Sequence, residues 1–152
     1  MYLPLLNLPS YSFKSKLLQG KWYIFDMLRR QYVRLTPEEW VRQHFVRYLI
    51  EEKQYPPDLI VIEHTFELNG LTLRCDIAVF DNSGKILAIV ECKSTDQPID
   101  QQVFDQIFVY NSHLKARYLM LTNGLQHYCC RIDLGASGPI FLKDIPFYAE
   151  IR

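Results

Sequence analysis

The chain has 152 residues, a length that suits a single domain able to bury a core without disulfides or metals. Its 49% hydrophobic and 14% aromatic content argues against disorder, and no apolar run approaches the roughly 20 residues needed to span a bilayer. Equal numbers of acidic and basic residues, 17 each, exclude a global basic field, so a nucleic acid would have to be bound by a local patch or through a partner. Arg29, Arg30 and Arg34 form one candidate patch, and Arg42 and Arg47 form a second.

The N-terminus and the cysteines both indicate a cytoplasmic protein without membrane contact. The start of the chain lacks the basic-then-apolar layout of a signal peptide. The four cysteines include no C-x-x-C pair, so we predict reduced thiols in or near the core rather than a zinc or iron–sulfur site. The adjacent Cys129 and Cys130 should point to opposite faces of a strand.

In chain order, residues 1–20 predict an irregular arm that packs through Leu5, Leu6 and Leu8. Lys21–Leu35 alternates aromatic and polar residues, which predicts a strand pair or one bent strand. Three aromatic residues at its start could stack on bases, but their strand spacing favours a place in the core. These residues are Trp22, Tyr23 and Phe25.

A helix is predicted to begin after Thr36. This residue suits the N-cap, Pro37 suits the first helical position, and Glu39 lies three residues after the cap. The apolar residues that follow recur at helical spacing and are Val41, Phe45, Tyr48 and Leu49. The run Tyr55-Pro56-Pro57 ends the helix.

Three strands are predicted next. Leu59–Leu68 and Leu71–Phe80 flank Asn69-Gly70, which is a two-residue hairpin signal. Lys85–Lys93 follows another turn, and residues 86–90 within it are all apolar. Such a run is typical of a central strand that is buried on both faces.

The last part of the chain predicts a second helix and a second hairpin. Ile99–Leu114 repeats apolar side chains at helical spacing, and Arg117–Thr122 and Gln126–Ile132 flank Asn123-Gly124. The residues after 133 contain two prolines and should cover an edge of the sheet. The order predicts an α/β sandwich with a mixed central sheet flanked by helices.

We therefore expect a single domain over residues 1–152, divided into three parts. Residues 1–35 would form the N-terminal arm and strand pair, residues 36–133 the core that carries the chemistry, and residues 134–152 a C-terminal cover.

The candidate chemistry lies at the ends of two neighbouring strands. Asp76 is in the second strand of the group, and Glu91-Cys92-Lys93 closes the third. Strand alternation puts Glu91 and Lys93 on one face and Cys92 on the other. Antiparallel pairing could bring Asp76 beside Glu91, where two carboxylates repel each other unless a cation lies between them. We therefore predict a site for a hard metal ion.

Mg²⁺ prefers oxygen ligands, so Asp76, Glu91 and the backbone carbonyl of Cys92 could hold it, with Mn²⁺ as a possible substitute. The metal would polarise a phosphate and lower the pKa of a bound water. Lys93 would orient that water and stabilise the charge that develops on phosphorus. This set predicts phosphodiester hydrolysis. The alternative interpretation of the same side chains is a charge ladder on an exposed sheet face.

Two residues of the second helix add to the set. Gln106 and Tyr110 are four residues apart and share one side of the helix. Taken singly, the first would be a surface amide and the second a core residue. Together with Asp76, Glu91 and Lys93, which precede them in the chain, they favour the metal-site interpretation.

The pattern Asp76 … Glu91-x-Lys93 resembles the PD-(D/E)XK, or restriction-endonuclease-like, superfamily. More narrowly, it resembles the N-terminal nuclease domain of type I restriction enzyme R subunits. The resemblance runs from the helix after Thr36 to the hairpin at 121–124. It implies a restriction-endonuclease-like sandwich and a Mg²⁺-dependent deoxyribonuclease in which the two acids and the lysine are catalytic.

The resemblance also implies roles for residues outside this triplet. Gln106 and Tyr110 match the Q-x-x-x-Y element shared with RecB-like nucleases, which lies near the active site and contacts DNA. The early helical glutamate of the family is often a water-mediated metal ligand, and Glu38 matches it best. Glu39 is the other candidate, although a capping role would already account for it.

Three departures limit the resemblance. Cys75 precedes Asp76 where the family has proline. The chain contains no G-x-x-x-x-G-K-[ST] motif, so the resemblance does not bring ATP-driven translocation with it. The four-cysteine iron–sulfur arrangement of some RecB-like nucleases is also missing.

Three functions are compatible with the sequence. The first is an active DNA nuclease, and the second is a DNA-binding or scaffolding module with an idle site. The third is a subunit that lends a nuclease site to a motor or specificity subunit on another chain. A homodimer with the aromatic N-terminal segment at its interface would supply the two sites that a double-strand cut requires. The residues leave open whether the substrate is duplex, single strand, junction or flap, and whether it is DNA or RNA.

Overall fold

The computed structural model describes residues 2–135 and 137–152. The described elements, in chain order, are β1 (Ser15–Leu18), β2 (Lys21–Asp26), β3 (Gln31–Arg34), α1 (Pro37–Glu51), a 3-10 turn (Pro57–Leu59), β4 (Ile60–Leu68), β5 (Leu71–Phe80), β6 (Ile86–Cys92), α2 (Gln101–Leu114), β7 (Tyr118–Thr122), β8 (His127–Arg131), β9 (Ile140–Phe141) and α3 (Tyr148–Ile151). The elements from β4 to β8 lie within about two residues of the ends that the sequence predicts, because Gly, Asn and Pro mark their turns.

The first three strands form a separate antiparallel sheet in the order β1-β2-β3. The strand pair predicted over Lys21–Leu35 is therefore confirmed. The prediction that residues 1–20 form an irregular arm is wrong for Ser15–Leu18, which form strand β1. Gln19 and Gly20, with φ angles of 50° and 74°, form the two-residue turn that joins β1 to β2.

The residues before β1 pack on the turn between β7 and β8. Leu6 and Leu8 contact the core as predicted, whereas Leu5 is 90% exposed. The backbone N–H of Asn7 donates to the carbonyl of Gly124 over 2.8 Å. Gly124 has a φ of +85°, a conformation that favours glycine, and a Cβ there would lie 2.7 Å from the end of the Leu6 side chain, which would have to shift.

Helix α1 begins as the sequence predicts. Thr36 is the N-cap and its Oγ1 accepts a hydrogen bond from the Glu39 N–H over 3.0 Å, while Pro37 occupies the first helical position. The helix ends at Glu51, and Gln54 turns the chain with a φ of 62°.

The larger sheet has six strands in the order β4-β5-β6-β7-β8-β9. The β6–β7 pair is parallel and the other pairs are antiparallel, so the predicted mixed sheet is confirmed. The hairpin predicted at Asn69-Gly70 joins β4 to β5, with φ angles of 51° and 79°. Helix α2 makes the crossover between the parallel strands.

Helices α1 and α2 cover opposite faces of this sheet. Phe45 of α1 lies in one hydrophobic cluster and Ile107 of α2 lies in the other. Cys129 belongs to the first cluster and Cys130 to the second, which confirms that they point to opposite faces. All four cysteines are buried and free, as predicted.

The C-terminal residues close one edge and one end of the sheet. Strand β9 pairs with β8, and the Tyr148 hydroxyl of α3 donates to the carbonyl of Phe80 over 3.2 Å. The Tyr55 hydroxyl, buried behind α1, donates to the carbonyl of Pro146 over 3.0 Å. In the part of the chain that the structure describes, no helix combines the length and apolarity that crossing a bilayer requires.

Candidate active site

The pairing of β5 with β6 brings two acids to the same end of the sheet. The last registered pair at this end is Ile77 with Val90, so Asp76 and Glu91 are each the next residue along their strands. Lys93 follows β6, and its backbone N–H donates to the Thr122 carbonyl of β7 over 2.8 Å. The hydrogen-bonded strands therefore fix the backbone on which these side chains stand.

Both oxygens of Asp76 have donors within the protein. Oδ1 accepts from Arg42 Nη2 over 2.8 Å, and Oδ2 accepts from the backbone N–H of Cys92 over 2.7 Å. Burial opposes the charge of Arg42, but Asp76 and then Glu39 raise the pKa of its guanidinium above the ordinary value. Arg42 therefore remains a cation and holds the Asp76 carboxylate in one orientation.

Glu91 has the opposite environment, although it is adjacent. Its carboxylate is buried, Oε1 is 3.9 Å from Lys93 Nζ, and Oε2 has no hydrogen-bond partner among the described residues. Burial raises the pKa of Glu91 to about 9, and the charge of Asp76 adds to that shift. A cation at this position would favour the ionised form of Glu91.

Glu38 and Glu39 have different roles at the start of α1. Glu38 is partly exposed, with Oε1 3.4 Å from Arg42 Nη2, and burial followed by the charge of Asp76 raises its pKa. The carboxylate of Glu39 is buried and accepts from Arg29, Arg42 and Gln43. Its carboxylate therefore serves an ion network rather than the predicted capping box, and Glu38 is the glutamate that faces the candidate site.

The ion network extends from the site to the N-terminal sheet. Arg29 donates to Asp26 over 2.6 Å, to Glu39 over 2.9 Å and to Glu63 over 2.9 Å. Arg42 continues the chain from Glu39. The prediction that these two arginines belong to surface patches is therefore wrong, because both are largely buried among carboxylates. Sequence reasoning named Arg42 but missed that it orients Asp76, since the contact joins residues 34 apart.

The other predicted arginines differ in their surroundings. Arg47 pairs with Glu51 of the same helix over 2.8 Å and lies near the rings of Tyr11 and Phe13. Arg30 and Arg34 are exposed on the N-terminal sheet and its turn. Only these two remain available from the predicted patches.

Gln106 and Tyr110 lie together on α2. Gln106 Nε2 donates to the Tyr110 hydroxyl over 3.0 Å, and the Tyr110 ring packs edge-on against Phe66 at 5.5 Å between centroids. Among the described residues, no hydrogen bond or ion pair joins this pair to Asp76, Glu91 or Lys93. The structure thus brings the two acids, the lysine and Glu38 together and places the amide–tyrosine pair on the helix that covers the Glu91 face.

The donor set fits a hard cation in part. Within the described ranges, no three His, Cys, Asp or Glu side chains form a metal-binding group. The two acids supply two carboxylates, so a third protein ligand would have to be a backbone oxygen such as the carbonyl of Cys92. The unpartnered Oε2 of Glu91 is the observation that favours a cation, because a buried carboxylate oxygen without a partner is costly.

The architecture and the site define a class of protein. The mixed α/β sheet with helices on both faces confirms the predicted restriction-endonuclease-like sandwich, and two acids and a lysine lie at the ends of its adjacent antiparallel strands. Residues 37–146 match the family model described as type I restriction enzyme R protein N terminus (HSDR_N). The chain belongs to this family, which places it among restriction-related nuclease domains.

A solved structure shares the fold. It is the fragment structure of a protein described as an HsdR subunit of a type I restriction enzyme from Vibrio vulnificus YJ016, with a TM-score of 0.57 and 21% sequence identity. The match covers 77% of this chain and 24% of that chain, so this chain spans about a quarter of the length of that chain. No curated protein sequence matches the chain.

Proposed function

We propose that the chain is a metal-dependent deoxyribonuclease that hydrolyses phosphodiester bonds, with Asp76, Glu91 and Lys93 as catalytic residues. The observation that carries the proposal is the buried Glu91 carboxylate, which has an unpartnered oxygen beside a second acid and a lysine. Membership of the R-protein N-terminal family supports the same function.

Each of these residues would have its own role in the reaction. The carboxylates of Asp76 and Glu91 and the carbonyl of Cys92 would hold Mg²⁺ or Mn²⁺. The bound ion would polarise the scissile phosphate and lower the pKa of a water. Lys93 Nζ would orient that water and stabilise negative charge on the phosphate oxygens. Lys93 Nζ, 3.9 Å from Glu91 Oε1, would be close enough to the acids to act on the same phosphate.

Three further residues would support this chemistry. Arg42 would fix the Asp76 carboxylate, since its guanidinium donates to Oδ1 over 2.8 Å. Glu38, which faces the same acid, would contact the ion through a water. Gln106 and Tyr110, joined by their own hydrogen bond, would contact the DNA on the α2 side.

The family also suggests an assembly. The structural relative is described as a subunit of a type I restriction enzyme, so we propose that this chain acts with a motor or specificity subunit in the cytoplasm. A homodimer is the other arrangement that would supply two sites for a double-strand cut.

The test is cleavage of labelled duplex, single-stranded, junction and flap DNA with Mg²⁺, Mn²⁺ or EDTA. Lys93→Ala should lower the rate on the order of a hundredfold or more, because the ammonium acts on charge that develops in the transition state. Lys85→Ala is the matched control, since Lys85 lies just before β6 as Lys93 lies just after it, and is exposed. The control should cut at the wild-type rate. Equal activity of both variants would contradict the role of Lys93.

A second function is favoured by one observation. Both oxygens of Asp76 already accept hydrogen bonds from the protein, so this acid is satisfied without a metal. A DNA-binding module with an idle site, or a subunit that is active only with a partner, would have this arrangement. Either alternative predicts DNA binding by the isolated chain without cleavage in any metal, and addition of the partner would separate the two.

A further inference from the structure

The N-terminal sheet carries positive charge that its own residues do not balance. Six basic residues and one acidic residue lie between Lys14 and Arg34, although the whole chain is neutral. The acidic residue, Asp26, is buried and bound to Arg29. The compensating negative charge therefore lies elsewhere in the chain.

Strand pairing sorts the side chains of this sheet onto two faces. Ile24 and Asp26 are buried and define the inner face of β2. Because side chains alternate, Lys21, Tyr23 and Phe25 point to the outer face. The registered pairs extend the outer face to both neighbouring strands, and its members are Lys14, Lys16, Leu18, Lys21, Tyr23, Phe25, Tyr32 and Arg34.

The outer face contradicts the prediction that the aromatic residues at the start of β2 belong to the core. Tyr23 and Phe25 are only half-buried, and Trp22, at the rim of the inner face, is 39% exposed. Two-residue alternation separates Tyr23 and Phe25 from Ile24 and Asp26, but only the packing of the sheet shows that the face with Ile24 and Asp26 is the buried one.

Aromatic rings position two of the lysines. Lys16 Nζ lies 4.1 Å from the centroid of the Tyr32 ring, and Lys14 Nζ lies 6.0 Å from that of Phe25. The two rings pack edge-on at 5.2 Å. Cation–π contacts restrain a lysine without neutralising it. Lys14, Lys16, Lys21 and Arg34 are all exposed, and within residues 2–135 and 137–152 no carboxylate lies within ion-pair distance of them.

We infer that this outer basic face, formed by Lys14, Lys16, Lys21 and Arg34, binds the phosphate backbone of the nucleic-acid substrate. Four exposed cations without a neighbouring anion complement a polyanion, and phosphate contacts need no particular base sequence. The inference rests on the proposed function, since it states which surface of a nuclease holds the substrate outside the reacting atoms.

The sheet that carries this face is tied to the candidate active site. Asp26 on the inner face binds Arg29 over 2.6 Å, Arg29 binds Glu39 over 2.9 Å, and Arg42 joins Glu39 to Asp76 with contacts of 3.0 and 2.8 Å. This buried chain of charge-assisted hydrogen bonds links the sheet that carries the outer basic face to Asp76. A strand bound on the sheet would therefore keep a fixed position relative to the acids.

The experiment measures DNA binding by fluorescence anisotropy in EDTA, with a labelled duplex and a labelled single strand over a range of NaCl concentrations. One variant combines Lys14→Gln, Lys16→Gln and Lys21→Gln. Its matched control replaces three exposed lysines elsewhere in the chain and combines Lys85→Gln, Lys115→Gln and Lys143→Gln. Both variants lose the same charge, so a net-charge effect would appear equally in the two.

The outer-face variant should bind at least about tenfold more weakly, and the slope of log K against log [NaCl] should fall in magnitude by about 2–3, because each lost phosphate contact removes roughly 0.7–0.9. The control should keep the wild-type slope. Equal losses in both variants would overturn the inference. It would also be overturned if wild-type protein were dimeric in sedimentation and the outer-face variant monomeric, since a second copy would then be the occupant.

These results separate the inference from the proposed function. Salt-dependent binding through the outer basic face, without cleavage in any metal, supports the inference and contradicts the nuclease. Metal-dependent cleavage with unchanged binding by the outer-face variant supports the nuclease and contradicts the inference.

Discussion

The two ends of strand β6 carry the same types of charged residue in opposite environments. Before the strand, Asp81 accepts hydrogen bonds from the backbone N–H groups of Ser83 and Lys85 over 2.9 Å each, in an exposed turn. After the strand, Glu91 is buried and one of its oxygens has no partner. The hydrogen bond from the Ser83 side chain, followed by that from the Lys85 backbone, lowers the pKa of Asp81, whereas burial raises that of Glu91 to about 9.

The difference distinguishes the carboxylate that the proposed nuclease would use from one that only closes a turn. The Asp81 carboxylate accepts its hydrogen bonds within its own turn and needs no further partner. The buried Glu91 oxygen without a partner destabilises the folded state, and it lies beside a second acid and a lysine. Charge type and strand position alone do not separate the two ends, but burial and hydrogen-bond satisfaction do.

The largest expected effect is a loss of stability on removal of the Arg42 guanidinium, which binds the acids at the buried end. Arg42→Met leaves Asp76 and Glu39 buried without their shared cation, so the free energy of unfolding should fall by about 3–5 kcal/mol. Arg47→Met is the control on the same helix, where the partly exposed pair with Glu51 should contribute about 1 kcal/mol or less. Urea unfolding of both variants measures the difference. Equal losses would show that the buried network adds nothing beyond a surface pair.

An intermediate effect is expected from Glu91→Gln, measured as the thermal midpoint in EDTA over a range of pH. A carboxyl whose pKa is raised in the folded state stabilises the fold fully below its ordinary value of 4.5 and loses that contribution as pH rises toward 9. The wild type should therefore lose stability relative to the variant over this interval. A divalent cation should reverse the order, because it favours ionised Glu91. A difference independent of pH and metal would contradict the assigned environment.

The smallest effect is expected at the exposed end. Asp81→Asn keeps a side-chain oxygen for the Ser83 and Lys85 donors, so the thermal midpoint at neutral pH should move by less than about 2 °C. The sign of the pH effect is opposite to that at Glu91. A carboxyl with a lowered pKa stabilises the fold above its ordinary value, and that contribution is lost in acid. A loss at alkaline rather than acid pH would contradict the comparison.

Much of the fold could be predicted from local patterns. Asn69-Gly70 specified one hairpin, and the run of apolar residues in Lys85–Lys93 specified the central strand, because these signals lie within a few neighbouring residues. Strand β1 was missed because Gln19-Gly20 is a weaker turn signal than Asn-Gly and its strand is exposed along its length.

Only the part of the site that depends on strand pairing and alternation could be predicted. Antiparallel pairing placed Asp76 near Glu91, and alternation placed Lys93 on the Glu91 side. The roles of Glu38 and Glu39 could not be separated, since both lie in the first turn of α1 and only the positions of Arg29 and Arg42 direct Glu39 into the ion network.

Local sequence patterns were sufficient to predict the order of the elements from α1 to β8, the mixed sheet and the residues that meet at the end of β5 and β6. Turn residues and hydrophobic periodicity act over a few positions, so they can be read from the chain alone. Tertiary packing determines which acid has hydrogen-bond partners and which has not, because Arg42 reaches Asp76 from a helix 34 residues earlier in the chain. It also determines which face of the N-terminal sheet is buried, and so which lysines remain for a partner. Burial and long-range ion pairing depend on packing between distant segments, and no local pattern records them.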